Sequence, residues 1–108
     1  MSSGSYSAPA TRPVCCATKA AVISLTQSAG LDLIKHGINV NAIAPGYMAT
    51  DNTAALQADP VRNAAILERI PAKRWGTPVD LAGPVVFLAS AASDYVNGYT
   101  VAVDGGWL

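Results

Sequence analysis

The sequence predicts an α/β fold in which parallel strands are joined by a right-handed crossover. Segments with helical and strand patterns follow one another in the order helix, strand, helix, helix, strand. At 108 residues the chain has room for one domain at most. Two parallel strands are normally buried within a larger sheet that is covered on both faces. We therefore expect further structure N-terminal to these elements to be missing from this sequence.

The chain begins with residues 1–13, which are rich in Ser, Gly, Ala and Pro and predict a flexible loop. The following segment, residues 14–35, contains no Pro and only Gly30 among glycines, which predicts a long helix. Lys35 suits a helix C-terminus, and Gly37 suits its left-handed cap. Apolar residues occur around much of this helix, so we expect it to pack on more than one side.

The first predicted strand covers residues 38–46, where β-branched residues alternate with asparagines. It stops at Pro45 and Gly46, a pair that is typical of turns. A turn therefore follows directly at the end of this strand.

The next predicted helix covers residues 53–69, with Asp51 or Asn52 as its N-terminal cap. The pair Asp59 and Pro60 lies inside it and offers a second possible start, because Pro is tolerated only in the first turn of a helix. The helix is thus predicted either as one piece or as two.

A third helix is predicted to begin at Thr77 as cap with Pro78 in its first turn. Pro84 lies inside this helix, and we expect a kink or an irregular turn there. The last element is a strand within residues 98–106, where large and small residues alternate. Residues 14–108 are thus predicted as helix, strand, helix, helix and strand within a single partial domain, 1–108.

Composition excludes several classes of function. Seven basic and seven acidic residues are scattered along the chain and cancel, which is unlike the basic surface of a nucleic-acid-binding protein. The longest apolar stretch is too short to cross a membrane, and the N-terminus lacks the apolar core of a signal peptide. We expect a cytoplasmic protein that binds neither nucleic acid nor membrane.

The side-chain inventory points to an uncovered apolar surface. Apolar types make up 51% of the residues and charged types 13%, against a typical charged share of about 25%. Such a surface suits a partner, a second copy of the chain or a missing part of a larger fold. The adjacent thiols of Cys15 and Cys16 are unsuited to a disulfide framework, and with one distant histidine they do not indicate a metal site.

Several stretches resemble the C-terminal part of short-chain dehydrogenases/reductases over residues 12–108. These are "ATKAAV", "INVNAIAPGYMAT" and "RWGTPVDLAGPVVFLASAASDYVNGYTVAVDGG". The resemblance implies the C-terminal part of a Rossmann-like doubly wound parallel sheet, with the N-terminal cofactor-binding half absent. Within the family, "PGYMATDNT", "RIPAKRWG" and "DYVNGYTVAVDGGWL" are most similar to the group that acts on sugar acids.

The resemblance assigns the catalytic lysine to Lys19, the last residue of a Tyr-x-x-x-Lys motif in the family. An ammonium group beside a phenol lowers the pKa of that phenol toward working pH, and it can also bind the nicotinamide ribose. In this sequence, however, Cys15 occupies the tyrosine position. A thiol can be ionised by Lys19, but it reaches less far than a phenol, so we expect impaired acid/base chemistry. The alternatives are a solvated lysine and an ordinary small cysteine.

The family also uses a serine about 13 residues before the tyrosine, which corresponds to Ser2, with Ser3 as the next candidate. An ordinary loop hydroxyl is an equally good interpretation of either residue. Tyr6 is out of register with Lys19, and the active-site asparagine of the family has no counterpart here.

The turn after the first strand carries the second implied site. By resemblance, Pro45 and Gly46 set the turn, Met48 makes main-chain contacts to the nicotinamide carboxamide, and Thr50 contributes a hydroxyl. Tyr47 and the residues after Thr50 would form a lid over the substrate. The alternative is a plain turn between a strand and a helix.

The implied function is NAD- or NADP-dependent hydride transfer on a CH–OH group of a sugar acid or similar small-molecule alcohol. No Gly-rich phosphate turn occurs in the sequence, so we expect this chain alone to be inactive and to bind NAD(P) very weakly or not at all. The choice between NAD and NADP is left open. The alternative is a non-catalytic remnant or an oligomerising subunit, as a homo-oligomer or in association with a full-length relative.

Overall fold

The computed structural model describes the backbone of residues 12–107 and the side chains of residues 17–107. The chain forms two compact units. The first unit combines the residues up to Ala42 with Phe87–Val101, and the second combines Ile43–Val86 with the residues from Ala102 onward. The predicted loop at residues 1–13 falls mostly outside the described residues.

The elements follow the predicted order, with the second helix in two pieces. They are α1 (Arg12–Leu33), β1 (Ala42–Pro45), α2 (Ala54–Ala58), α3 (Pro60–Arg69), α4 (Pro78–Ala89) and β2 (Thr100–Val103), and short 3-10 turns cover Ile34–His36, Asp51–Thr53 and Ala91–Ser93.

The two strands pair with each other as a parallel sheet. In the first unit the Ala42 N–H donates to the Tyr99 carbonyl, and in the second the Gly46 N–H donates to the Val103 carbonyl, both at 2.9 Å. The partners advance in the same direction along both strands, as they must in a parallel ladder. The predicted α/β class with parallel strands is confirmed.

Helix α1 begins two residues before the predicted start, because Pro13 is acceptable in the first turn of a helix, where its missing N–H costs nothing. Helix α1 ends at Leu33, two residues before the predicted end, and a 3-10 turn over Ile34–His36 leads to the predicted cap at Gly37. Gly37 has a φ of 76° and donates its N–H to the Ile34 carbonyl, which closes the left-handed cap. In the part of α1 whose side chains are described, residues 17–33, Val22 and Leu25 are 50% and 67% exposed, so the expected packing on more than one side is not seen there.

The predicted strand over residues 38–46 is shortened to β1 because asparagine side chains take the place of the backbone ladder at its beginning. The Asn97 carboxamide oxygen accepts from the Val40 N–H at 2.9 Å. The Asn41 side chain donates to the Val96 carbonyl and accepts from the Tyr99 N–H. These bonds satisfy the backbone without regular strand geometry.

In the second unit the break between α2 and α3 falls at the predicted pair. The Asp59 carboxylate accepts from the N–H groups of Val61 and Arg62 at 3.1 and 3.2 Å and so caps α3, with Pro60 at its first position. The buried apolar side chains of the described residues are Ile66 and Ile70, on α3 and directly after it. They form the small core of this unit.

Helix α4 continues through Pro84 without a break. No helix among residues 12–107 is long and apolar enough to span a membrane.

Candidate functional site

The two halves of the predicted site fall in different units. Lys19 lies in the first unit, on an exposed position of α1. Cys15 lies one helical turn before it on the same helix, within the stretch whose side chains are not described. Ser2 and Ser3 lie outside the described residues.

The predicted turn residues Pro45, Gly46, Met48 and Thr50 all lie in the second unit, at the carboxyl end of β1. Gly46 is required there by a close approach of two backbones. A Cβ at this position would lie 2.6 Å from the Asp104 Cβ and 2.8 Å from its Cα. Atoms of the neighbouring backbone cannot move aside cheaply, so only glycine fits.

The residues after Gly46 are bonded to the loop that precedes α4. The Ala49 N–H donates to the Gly76 carbonyl at 2.7 Å, and the Gly76 N–H donates to the Tyr47 carbonyl at 2.9 Å. Met48 and Gly76 thereby form an isolated parallel bridge. This bridge fixes the backbone of residues 47–49 from one side.

A second set of hydrogen bonds, made by the Thr53 hydroxyl just before α2, holds the backbone of Met48 and Thr50. The Thr53 hydroxyl donates to the Met48 carbonyl at 2.6 Å and accepts from the Thr50 N–H at 3.1 Å. The Gln57 carboxamide donates to the same hydroxyl at 3.0 Å. Thr53 was predicted only as the start of a helix, and neither it nor Gln57 was a predicted site residue, although the spacing of three between Thr50 and Thr53 is typical of a capping box.

Tyr47 is the centre of an aromatic cluster, defined here as Tyr47, Trp75 and Trp107. The Tyr47 ring packs edge to face against two indole rings. Its centroid lies 5.7 Å from that of Trp75, with an angle of 84° between the ring planes, and 5.0 Å from that of Trp107, with an angle of 74°. The Trp75 indole N–H donates to the Asn63 side chain at 2.7 Å, and the Arg69 guanidinium lies 5.2 Å from the Trp107 ring. The cluster therefore connects the residue after Gly46 to α3.

The start of α4 carries a bidentate ion pair. The Arg74 guanidinium donates to both oxygens of Asp80 at 2.8 and 2.9 Å, and the Thr77 N–H donates to the same carboxylate at 2.8 Å. The hydrogen bonds from Arg74 and then from Thr77 hold the pKa of Asp80 well below its usual range. The bond to Asp80 in turn raises the pKa of Arg74.

Beside this ion pair lies a cavity of about 130 Å³, lined in part by Tyr47, Met48, Arg74, Asp80 and Asp104. In the part of the chain that the structure describes, no group of three or more His, Cys, Asp and Glu side chains comes together as a metal site would require.

Comparison with known proteins identifies the family. A family model described as enoyl-(acyl carrier protein) reductase matches residues 1–108. The chain belongs to the short-chain dehydrogenase/reductase family. The 2-dehydro-3-deoxy-D-gluconate 5-dehydrogenase of Escherichia coli K12 is 66% identical to it over 92 residues, which cover 85% of this chain and 36% of that protein. The enzyme of the same name from Bacillus subtilis is 56% identical over 96 residues, or 89% of this chain and 38% of that protein.

A solved structure of this family shares the fold. The gluconate 5-dehydrogenase from Burkholderia cenocepacia, crystallised with NADP and tartrate, superimposes with a TM-score of 0.80 at 47% identity, covering 84% of this chain and 36% of that one. The predicted Rossmann-like class and the resemblance to the sugar-acid group of this dehydrogenase family are confirmed. The chain spans a little over a third of the length of the relatives that it matches.

Proposed function

We propose that these residues supply the nicotinamide-contacting and substrate-covering part of an NAD(P)-dependent oxidoreductase. Its substrate is a sugar acid or a similar alcohol, and the hydride is transferred at a CH–OH group of that molecule. The proposal is carried by the backbone of residues 47–50, which lies directly after Gly46 at the carboxyl end of a parallel strand. This backbone is fixed by the bridge to Gly76 and by the Thr53 hydroxyl. Ligands of open α/β sheets bind outside that end of the strands. The names of the relatives supply the substrate class.

The donors at this turn fit the carboxamide of a nicotinamide. A carboxamide offers an acceptor oxygen and an NH₂ donor, so it needs partners of both kinds. Met48 would meet it through the main chain, and the exposed Thr50 would meet it through a hydroxyl that can donate or accept. Lys19 would bind the ribose. The bound nicotinamide supplies or accepts the hydride.

Residues of this chain would transfer the proton to or from the substrate oxygen. Cys15 stands where the family has its tyrosine, and Lys19 would favour the ionised form of whatever group stands there. Ser2 would polarise the substrate carbonyl. With a thiol in place of a phenol, we expect the proton to reach the substrate only through an intervening water, which is the reason for impaired turnover.

The test is a hybrid protein. In the Escherichia coli relative, the matching C-terminal segment is replaced by residues 12–108 of this chain, and NADPH and NADH binding are measured by nicotinamide fluorescence. We expect binding in the hybrid and a loss of about tenfold or more in Lys19→Met, since one charge-assisted hydrogen bond contributes about 1.5–3 kcal/mol. Lys35→Met, at the far end of the same helical segment, is the matched control. A folded hybrid that binds neither cofactor would contradict the proposal.

A non-catalytic, oligomerising role is the second candidate, and the exposed apolar side chains favour it. Val61, Val79 and Leu31 are 78%, 79% and 77% exposed. Such side chains suit burial against a second copy of the chain or against a full-length relative. Sedimentation of the chain, alone and mixed with the Escherichia coli relative, measures this directly. A hybrid that binds no cofactor, together with a chain that sediments as a complex, would favour this role.

A further inference from the structure

We propose that Thr53 is a positioning residue for the nicotinamide contacts, because its hydroxyl fixes the backbone of residues 48–50. The inference rests on the proposed function for Met48 and Thr50. It adds a residue that touches no cofactor itself and acts through those two.

The bonding capacity of the Thr53 hydroxyl is fully used. A hydroxyl has one donor and two acceptor lone pairs. The donor serves the Met48 carbonyl at 2.6 Å, with the Thr50 carbonyl further away at 3.2 Å. The Thr50 N–H and the Gln57 carboxamide take the two acceptor positions, at 3.1 and 3.0 Å. A hydroxyl with every partner in place has one favoured orientation, so it holds residues 48 and 50 at a defined separation.

The hydroxyl is not needed for the 3-10 turn at Asp51–Thr53. That turn is closed by the main chain itself, where the Thr53 N–H donates to the Thr50 carbonyl at 3.1 Å. The side-chain bonds reach outside the turn, back to Met48 and forward to Gln57 on α2. Their effect is therefore to attach the turn to the residues that precede it, Met48 above all.

The attachment completes the support of Met48. The bridge to Gly76 uses the Tyr47 carbonyl and the Ala49 N–H, and it leaves the Met48 carbonyl to Thr53. Thr50 itself is exposed, and its side chain follows whatever backbone conformation the Thr53 hydroxyl imposes. Removal of that hydroxyl should free Thr50 while leaving the Gly76 bridge, and with it Ala49, in place.

The first measurement is amide hydrogen exchange by NMR on the full 108-residue chain. Thr53→Val keeps the shape and the β-branch but removes the hydroxyl, and Thr53→Ser keeps the hydroxyl. We expect protection of the Thr50 amide to fall about fivefold to tenfold in Thr53→Val, as the loss of one hydrogen bond of about 1 kcal/mol implies, and to be restored in Thr53→Ser. Protection of the Gly76 amide should not change, which separates local release from general unfolding. If Thr53→Val fails to fold, Gln57→Leu, which removes one of the three bonds, should lower Thr50 protection to a smaller extent.

The second measurement uses the hybrid protein and distinguishes this inference from the proposed function. We expect Thr53→Val to weaken NADPH binding and to raise the KM for NADPH about fivefold to tenfold. The KM for the sugar acid should not change. Thr53→Ser should behave like the unmodified hybrid in both respects. Thr50 protection that is unchanged in Thr53→Val would overturn the inference. If protection falls but NADPH affinity stays the same, the role toward nicotinamide is overturned. If the unmodified hybrid binds no NADPH while protection depends on Thr53, the proposed function fails and Thr53 only orders the turn.

Discussion

At the scale of single residues, the proposed proton transfer depends on the residue at position 15. Cys15 and Lys19 lie one turn apart on α1, which is the register in which the family places its tyrosine and lysine. The motif predicts the role of Lys19, and that role stays a prediction. The departure at position 15 was equally visible in the sequence, because it is a change of residue type at a fixed spacing.

Cys15→Tyr should therefore raise the turnover of the hybrid protein. A phenol at this position restores direct proton transfer, and a positioned general acid or base contributes about a hundredfold or more to the rate. The measurement is kcat for 2-dehydro-3-deoxy-D-gluconate oxidoreduction, with Cys16→Tyr as the matched control one position out of register. Equal turnover in the two variants would show that the register assigned to the site is wrong.

Gly46→Ala should destabilise the second unit by about 1–3 kcal/mol, the usual cost of forcing atoms into an occupied site. Its Cβ would meet the Cα and Cβ of Asp104. Gly76→Ala is the matched comparison, because its Cβ would lie 2.4 Å from the Met48 Sδ, at the flexible end of a side chain that can turn away. Urea denaturation should show a clearly larger loss for Gly46→Ala. A reversed order would contradict this account of the turn.

At the scale of elements, the start of α4 is held by the charged carboxylate of Asp80. Asp80 combines the bidentate bond from Arg74 with the bond from the Thr77 N–H, so one carboxylate joins the preceding loop to the helix. Thr77 as the cap and Pro78 in the first turn were predicted from the sequence, but the partner of Arg74 was not. An ion pair across six residues requires the loop conformation, which local patterns do not define.

Stability should fall in acid because of Asp80. Its pKa is lower in the folded chain than the ordinary value near 3.9, so the folded state binds the proton less readily than the unfolded one. The stabilisation is present above the ordinary value and is lost as the pH falls below about 4 toward the lowered one. The urea midpoint of Asp80→Asn should be below wild type at pH 7 and converge with it in acid. A constant difference across pH 2–7 would exclude this carboxylate as the cause, and Arg74→Lys should show an intermediate loss.

Element boundaries show where local patterns suffice. The Gly37 cap, the break at Asp59 and Pro60, and the start of α4 were all predictable, because caps and prolines act on their immediate neighbours. The start of β1 was not, because Asn41 and Asn97 replace ladder bonds with side-chain bonds between residues far apart in the sequence.

At the scale of the whole molecule, the small core and the exposed apolar helix residues agree with a chain that spans a little over a third of its relatives. The buried apolar side chains among the described residues, Ile66 and Ile70, belong to the second unit.

The chain by itself should bind NADPH about a hundredfold more weakly than the hybrid, which corresponds to about 2.7 kcal/mol. The reason is that its sequence contains no Gly-rich turn to hold the pyrophosphate at a helix N-terminus. Fluorescence titration of both proteins under the same conditions measures the ratio. Equal affinities would show that the phosphates are held by residues of this chain.

Residue patterns alone were enough to predict the fold class, the order of the elements and the family. The site residues Lys19, Cys15, Pro45, Gly46, Met48 and Thr50 stay a prediction from the same patterns. These follow from residue types at short, fixed spacings, which act through local backbone geometry. Only the tertiary structure decided what holds the turn after β1: the bridge to Gly76, the Thr53 hydroxyl and the aromatic cluster around Tyr47. The bridge and the cluster join residues that are distant in sequence, and the Thr53 bonds depend on how the backbone bends between Met48 and Gln57. Such contacts exist only once the chain has folded.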